Sequence, residues 1–251
     1  MKSISIIIPA YNEERTISGV LDAIASRVEN LAEVIIIDDG SKDKTAEICR
    51  AYEQANPLFH YFPQPVNMGK TEALKAGFGH STGEIVIVQD ADLEYDPMDI
   101  NKIVAPIQKD EADVVFGSRF QVGSPRQAFY LRSYLANRLI TFCSNLFTGH
   151  RFSDVETCYK AFRGDIIRGM IITSERFGFE IEVTAKIAKL KIRVAEVGIS
   201  YYGRSYAEGK KIGFRDGLMA LFYILKYNVF CSRKDSFRDL ESLLPIEEQL
   251  V

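Results

Sequence analysis

Short apolar runs alternate with longer amphipathic stretches through the first half of the chain. Ile4 to Ile8, Val34 to Ile37 and Ile85 to Val88 are continuous and rich in β-branched residues, as in strands buried on both faces of a parallel sheet. Phe59 to Phe62 and Asp113 to Phe116 add two shorter strands. Between them, Glu13 to Ser26 carries Ile17, Val20, Leu21 and Ile24 at helical spacing, and Gly69 to Gly79 and Asp99 to Gln108 read as further helices. Another helix follows Asp38-Asp39-Gly40-Ser41, where Asp43 or Ser41 is placed to cap it. This alternation predicts an α/β fold with a mostly parallel central sheet and helices on both faces. Such sheets bind ligands at the carboxyl ends of their strands. There the first, second and central strands run into Pro9-Ala10-Tyr11-Asn12-Glu13, Asp38-Asp39-Gly40-Ser41 and Asp90-Ala91-Asp92, so polar groups collect on one rim.

Farther along, Phe129 to Phe147 is strongly apolar, with Leu131, Leu135, Leu139, Phe142 and Leu146 at helical spacing and Ser133, Asn137, Thr141 and Ser144 opposite. Val194 to Ile199 reads as a strand, and Gly213 to Phe230 as a helix with Leu218, Leu221, Phe222 and Leu225 on one side. Burial in a core is the commoner reason for stripes of this kind; contact with a membrane surface is the other. No run approaches the length needed to span a bilayer, and the first apolar run, broken by Pro9, is too short for a signal-peptide core. The tail after Cys231 is polar, then modestly apolar around Leu243 and Leu244, and suggests no role.

Composition changes this picture little. A net charge of -3 over 251 residues gives no sign of a nucleic-acid binder. Cys49, Cys143, Cys158 and Cys231 are scattered, which speaks against structural zinc or a disulfide framework and fits a reducing compartment. The acidic turn adds more. In an extended segment Asp90, Asp92 and Glu94 would all point to one side, where mutual repulsion calls for a cation. Oxygen donors alone favour Mg²⁺ or Mn²⁺ over zinc. The competing reading is an Asp-rich turn ahead of the next helix. Two nucleotide motifs are excluded: Gly69-Lys70-Thr71 lacks the glycine a P-loop needs five residues earlier, where Gln64 stands, and Gly77, Gly79 and Gly83 do not form G-x-G-x-x-G. His60, His80 and His150 are isolated and support no catalytic triad.

Pro9-Ala10-Tyr11-Asn12-Glu13-Glu14, Asp38-Asp39-Gly40-Ser41, Asn67-x-Gly69-Lys70, Asp90-Ala91-Asp92 and Gly117-Ser118-Arg119-Phe120 occur in order. Together they resemble family 2 glycosyltransferases of the GT-A fold, most nearly the dolichyl-phosphate mannose synthase group, over roughly Ile4 to Ile212. That resemblance implies a nucleotide-sugar donor, UDP- or GDP-linked, with Pro9, Tyr11 and Glu13 at the base and ribose and Asp38 or Asp39 at the base edge. Gly69 would let the backbone approach the nucleotide, Lys70 would add charge near the diphosphate, and Asp90, beside Ala91, would hold the ribose or sugar. Asp92 would bind the metal, Mg²⁺ or Mn²⁺, with Asp90 and Glu94 in the same acidic set; Glu94 stands where the mannose synthases tend to carry Gln. Arg119 and Arg132, near Arg126, match phosphate contacts. Arg204 and Lys210, six apart, match an Arg and Lys that embrace phosphates from a loop expected to close over both substrates.

The resemblance implies an inverting transfer of a glucose- or mannose-type hexose to a polyprenyl phosphate. An anionic acceptor needs no general base. The main alternative is a hydroxyl acceptor with Asp154 as base: polysaccharide-building relatives place a Glu-Asp pair near the acceptor, and Ser153-Asp154-Val155-Glu156-Thr157 lacks that pair here but keeps Asp154 as a candidate. A non-catalytic nucleotide-sugar binding subunit and a nucleotidyltransferase fit less well. One catalytic domain is expected over residues 1–230, with a donor half at 1–118 and an acceptor half at 119–230, then a tail at 231–251. The expected location is cytoplasmic, peripheral at the inner face of the membrane.

Overall fold

The computed structural model describes residues 1–121, 131–176, 178–203 and 214–239. One seven-stranded sheet runs through it in the order β3-β2-β1-β4-β6-β5-β7. Its strands are β1 (Ile4–Ala10), β2 (Leu31–Asp38), β3 (Phe59–Pro63), β4 (Ile85–Val88), β5 (Val114–Ser118), β6 (Lys160–Arg163) and β7 (Val194–Gly198). The helices are α1 (Ile17–Arg27), α2 (Thr45–Ala55), α3 (Lys70–His80), α4 (Asp99–Gln108), α5 (Leu131–Thr148), α6 (Gly164–Gly169), α7 (Phe179–Ile187) and α8 (Phe214–Val229). The elements expected from the apolar pattern are present within a few residues of their predicted limits. β6, α6 and α7 are additional.

β1 to β4 pair in parallel, and so do β5 and β7. β6 enters between β4 and β5 and runs antiparallel to both. The sheet order reverses at β1, with β2 on one side and β4 on the other, so the loops leaving β1 and β4 open a crevice at their carboxyl ends. Ile4, Ile6, Ile7 and Ile8 of β1 and all of β4 are buried, as expected of strands covered on both faces. α3 lies close against this sheet: a Cβ on Gly77 would sit 2.3 Å from Ile7 Cγ2.

The apolar stripes of α5 and α8 turn out to face solvent. Phe142 and Leu146 are 66% and 72% exposed, whereas Thr141 and Ser144 are 2% and 1% exposed. The polar side is inward because it holds the chain beneath: Thr141 Oγ1 accepts Val155 N–H, and the Asn145 amide exchanges hydrogen bonds with Phe152 N–H and C=O. On α8, Ala220, Tyr223, Ile224 and Tyr227 are buried while Leu218, Phe222 and Leu225 are exposed. Leu221 alone of the α8 stripe is half-buried against the core, so burial does not explain the exposed residues of either stripe.

Below β5, Asp113 accepts hydrogen bonds from Arg193 and Arg163 and so ties β5, β6 and the start of β7 together. Burial alone would raise its affinity for a proton, but these donors prevail and lower its pKa to about 2. An unfolded Asp titrates near ~3.9, so the stabilisation is complete above that value and is lost as pH falls through the folded one. Asp113→Asn should lower the melting temperature at neutral pH, with the difference from the unaltered chain narrowing between pH 5 and pH 2. Thermal denaturation across that range checks this; a constant difference would refute it.

Candidate active site

The loops after β1 and β2 are stitched together at the rim. Asn12 sits in the left-handed region at φ 54°, its amide oxygen accepts Lys42 N–H, and its own N–H donates to Ser41 Oγ. Glu13 N–H donates to Thr45 Oγ1, and the Glu13 carboxylate accepts the Thr16 hydroxyl. Pro9 is half-buried near the end of β1, and Tyr11 just beyond the strand is half-buried too. Asp38 accepts the Tyr61 hydroxyl at 2.7 Å and Ser41 N–H at 2.9 Å. Asp39 accepts Met68 N–H at 2.6 Å and Gly69 N–H at 2.8 Å, which anchors the segment leading into α3. Burial, aided by the Asp38 charge, raises the Asp39 pKa despite those two donors. Gly69 adopts φ +94°, a conformation that favours glycine, and this turn lets α3 begin at Lys70.

Lys70 points into a buried cluster. Its ammonium lies 2.9 Å from Asp90 Oδ1, 3.2 Å from Glu180 Oε1 and 3.2 Å from Cys158 Sγ. Burial would favour losing its proton, but Asp90, Cys158 and Glu180 prevail and hold it charged well above its ordinary range. The Cys158 thiol donates to Asp90 Oδ1, and burial beside that carboxylate keeps the thiol protonated.

The acidic turn does not converge as expected. The chain leaves the extended conformation after Val88, so the alternation of side chains no longer applies, and among the described residues no group of three His, Cys, Asp or Glu is placed to hold a metal ion. Asp90 turns inward to Lys70. Asp92 accepts Glu94 N–H, while Glu94 accepts the Tyr201 hydroxyl at 2.8 Å and its C=O accepts Tyr202 N–H. Ala91 between them is buried. The half-buried oxygen donors Asp92 and Glu94 fit Mg²⁺ or Mn²⁺, which commonly take one or two carboxylates and complete their shell with substrate phosphate and water.

Across the crevice Arg119 and Asp154 form a buried bidentate pair, Nε to Oδ2 at 2.7 Å and Nη2 to Oδ1 at 2.9 Å, and Arg119 N–H adds a third bond to Oδ2. Asp154 is 0% exposed. A general base needs an oxygen that can reach an acceptor proton, so this geometry corrects the expected role of Asp154: it orients Arg119. The Arg119 guanidinium also stacks over the Tyr201 ring at 5.2 Å. Arg126, Arg204 and Lys210, and the side chain of Arg132, lie outside the described residues.

A family model for glycosyl transferase family 2 matches residues 5–169. The chain belongs to glycosyl transferase family 2. It is 29% identical over 241 residues to an undecaprenyl-phosphate 4-deoxy-4-formamido-L-arabinose transferase of Edwardsiella ictaluri, covering 94% of this chain and 70% of the relative. The protein of the same name from Salmonella choleraesuis is 30% identical over 214 residues, 84% of this chain and 63% of its own length. The chain thus spans about two thirds of these curated relatives. Among solved structures, glucosyl-3-phosphoglycerate synthase of Mycobacterium tuberculosis with phosphoglyceric acid superposes with a TM-score of 0.70 at 20% identity, over 90% of this chain and 80% of that one. The same enzyme with Mn²⁺, UDP-glucose and phosphoglyceric acid gives 0.68 at 21% identity, over 90% and 79%. These likenesses establish the GT-A fold.

In this family 2 chain the structure brings forward three residues that the sequence reading left without a role. Glu180 and Cys158 complete the Lys70 cluster. Glu156 is half-buried, yet its Oε1 is fully covered and has no hydrogen-bond partner among the described residues. Burial, reinforced by Glu180, pushes its pKa up to about 7. Glu156 was visible in the segment read for Asp154; Glu180 had no signal, because α7 itself was not foreseen. A carboxyl raised from ~4.3 to that value binds more protons folded than unfolded, so it lowers stability as pH rises between the two. Glu156→Gln should gain melting temperature relative to the unaltered chain from pH 5 to pH 8. A difference independent of pH would refute this.

Proposed function

We propose that the chain transfers a hexose of glucose or mannose type from a UDP- or GDP-sugar to a polyprenyl phosphate, with inversion, using Mg²⁺ or Mn²⁺. Residues 1–118 hold the donor and 119–230 the acceptor. The reading is supported by the family, by relatives named for an undecaprenyl-phosphate acceptor, and above all by one observation: Asp154 has both carboxylate oxygens committed to Arg119. A phosphate acceptor is already anionic and does not call on that carboxylate. The enzyme would work at the cytoplasmic face of a membrane, as a peripheral protein; no helix among the described residues is long and apolar enough to cross one.

In this scheme the rim loops around Tyr11, Glu13, Asp38 and Asp39 hold the nucleoside, and Asp90 orients the sugar. An acceptor phosphate oxygen attacks the anomeric carbon opposite the leaving diphosphate; the new C–O bond forms as the old one breaks, and the electron pair departs with the diphosphate. Arg119, with Arg132, Arg204 and Lys210, orients the phosphates. A divalent cation held by Asp92 and Glu94 would supply positive charge for the diphosphate.

Transfer to a hydroxyl is a second reading, favoured by Glu156, a carboxyl that is only half-buried and whose raised proton affinity suits a general base. One experiment separates the two. The purified chain is incubated with Mn²⁺ or Mg²⁺, polyprenyl phosphate and labelled UDP- and GDP-sugars, including 4-formamido-arabinose derivatives in view of the relatives' names. Label should enter the organic phase and fall about 100-fold or more in Asp92→Ala, the scale of losing one transition-state charge contact. Label on a hydroxyl acceptor instead, abolished by Glu156→Gln, would establish the second reading.

A further inference from the structure

α5 and α8 pack against each other, and both rest on α7, which is buried along its length. Their exposed faces therefore lie on neighbouring elements. On α5 that face carries Leu135, Leu139, Phe142 and Leu146; on α8 it carries Leu218, Phe222, Leu225 and Val229. The two sets have the same i, i+4, i+7, i+11 spacing, and each of these side chains is between 47% and 72% exposed. Phe147, Met219 and Phe230 extend the exposed apolar area. Scattered exposed apolar residues are ordinary, but two parallel rows on adjoining helices call for an occupant.

We propose that the outer faces of α5 and α8 form one surface that rests on an anionic lipid bilayer. The proposal deepens the polyprenyl-phosphate reading by naming the surface that meets the acceptor's membrane. Charge favours the bilayer over a second copy of the chain: the described side chains of the two helices include Arg138 and Lys226 and no acid, in a chain whose net charge is -3. Amphipathic helices with basic residues bind such interfaces through buried apolar area and attraction to anionic headgroups. The position of α5 also favours the bilayer. Its inner side holds the segment from Phe152 to Val155 through Thr141 and Asn145, and that segment places Asp154 on Arg119. A bilayer against the outer side would bring a lipid-borne phosphate beside the acceptor half.

Flotation of the full chain with phosphatidylcholine vesicles, with and without phosphatidylglycerol and without any polyprenyl phosphate, tests the surface independently of the acceptor. The unaltered chain should float with the anionic vesicles. Leu139→Ser/Phe142→Ser and Phe222→Ser/Leu225→Ser should each bind at least about 10-fold less while keeping their melting temperature, since the altered side chains are exposed. Both variants should transfer label to a short, water-soluble polyprenyl phosphate as the unaltered chain does. An unaltered chain that stays in solution, or variants that float equally well, would overturn the proposal. So would a dimer in sedimentation that the substitutions dissociate, with no vesicle binding, which would assign the face to a second copy. Flotation with no transfer to the soluble acceptor by any form would leave the surface standing and remove the acceptor reading.

Discussion

The buried ammonium of Lys70 is the constraint on which the rim depends. Asp90 follows β4 and Glu180 lies in the first turn of α7, and Lys70 is the cation that both carboxylates meet. By meeting both, Lys70 fixes the start of α3 against the end of the central strand and the head of a helix from the second half. Asp39 then sets the segment that delivers Lys70, gripping the N–H groups of Met68 and Gly69. The backbone of Arg176 completes the arrangement by accepting both the N–H and the hydroxyl of Thr71. The rim proposed to hold the donor is thus fixed by charges that cross between distant parts of the sequence.

The second half relies on buried charge in the same way. Arg119 is clamped by Asp154; Lys160, fully buried, donates to the carbonyls of Val155 and Thr157; and Glu182 pairs with Lys186 while accepting the N–H groups of Thr173 and Ser174. Each pair secures an irregular segment that passes near the crevice. Breaking such a pair on one side leaves an uncompensated charge, which costs more than the pair contributes. Here ionic contacts fix loop geometry, and the bulk of stability comes from the isoleucine- and valine-rich sheet.

The sheet was legible because its parallel strands are uninterrupted apolar runs, and the rim because Pro9 and Asp38 follow directly on two of them and Asp90 comes one residue after a third. β6 escaped notice since its four residues include Lys160 and Arg163, and no propensity signals a buried lysine satisfied by carbonyls from its own loop. α7 was hidden for a related reason: Glu180, Glu182 and Lys186 interrupt an otherwise apolar stretch, and their partners lie elsewhere in the chain. Asp90, Asp92 and Glu94 were foreseen as a site but not in their directions, because alternation holds only while a strand lasts. The stripes of α5 and α8 were legible in their spacing, but the choice between a core and a membrane surface stayed open. Periodicity locates an apolar face without saying what covers it.

The central claim is that the rim between β1, β2 and β4 binds a nucleoside diphosphate whose charge is met by the acidic turn through a divalent cation. Calorimetric titration of UDP and GDP, with Mn²⁺ and with a chelator, into the unaltered chain and Asp92→Ala tests it most directly. The account predicts binding of at least one nucleotide with Mn²⁺, weakened at least about 10-fold by the chelator and by the substitution, on the scale of a lost charge-assisted contact. Binding of equal strength under all these conditions, or of neither nucleotide under any, would contradict it.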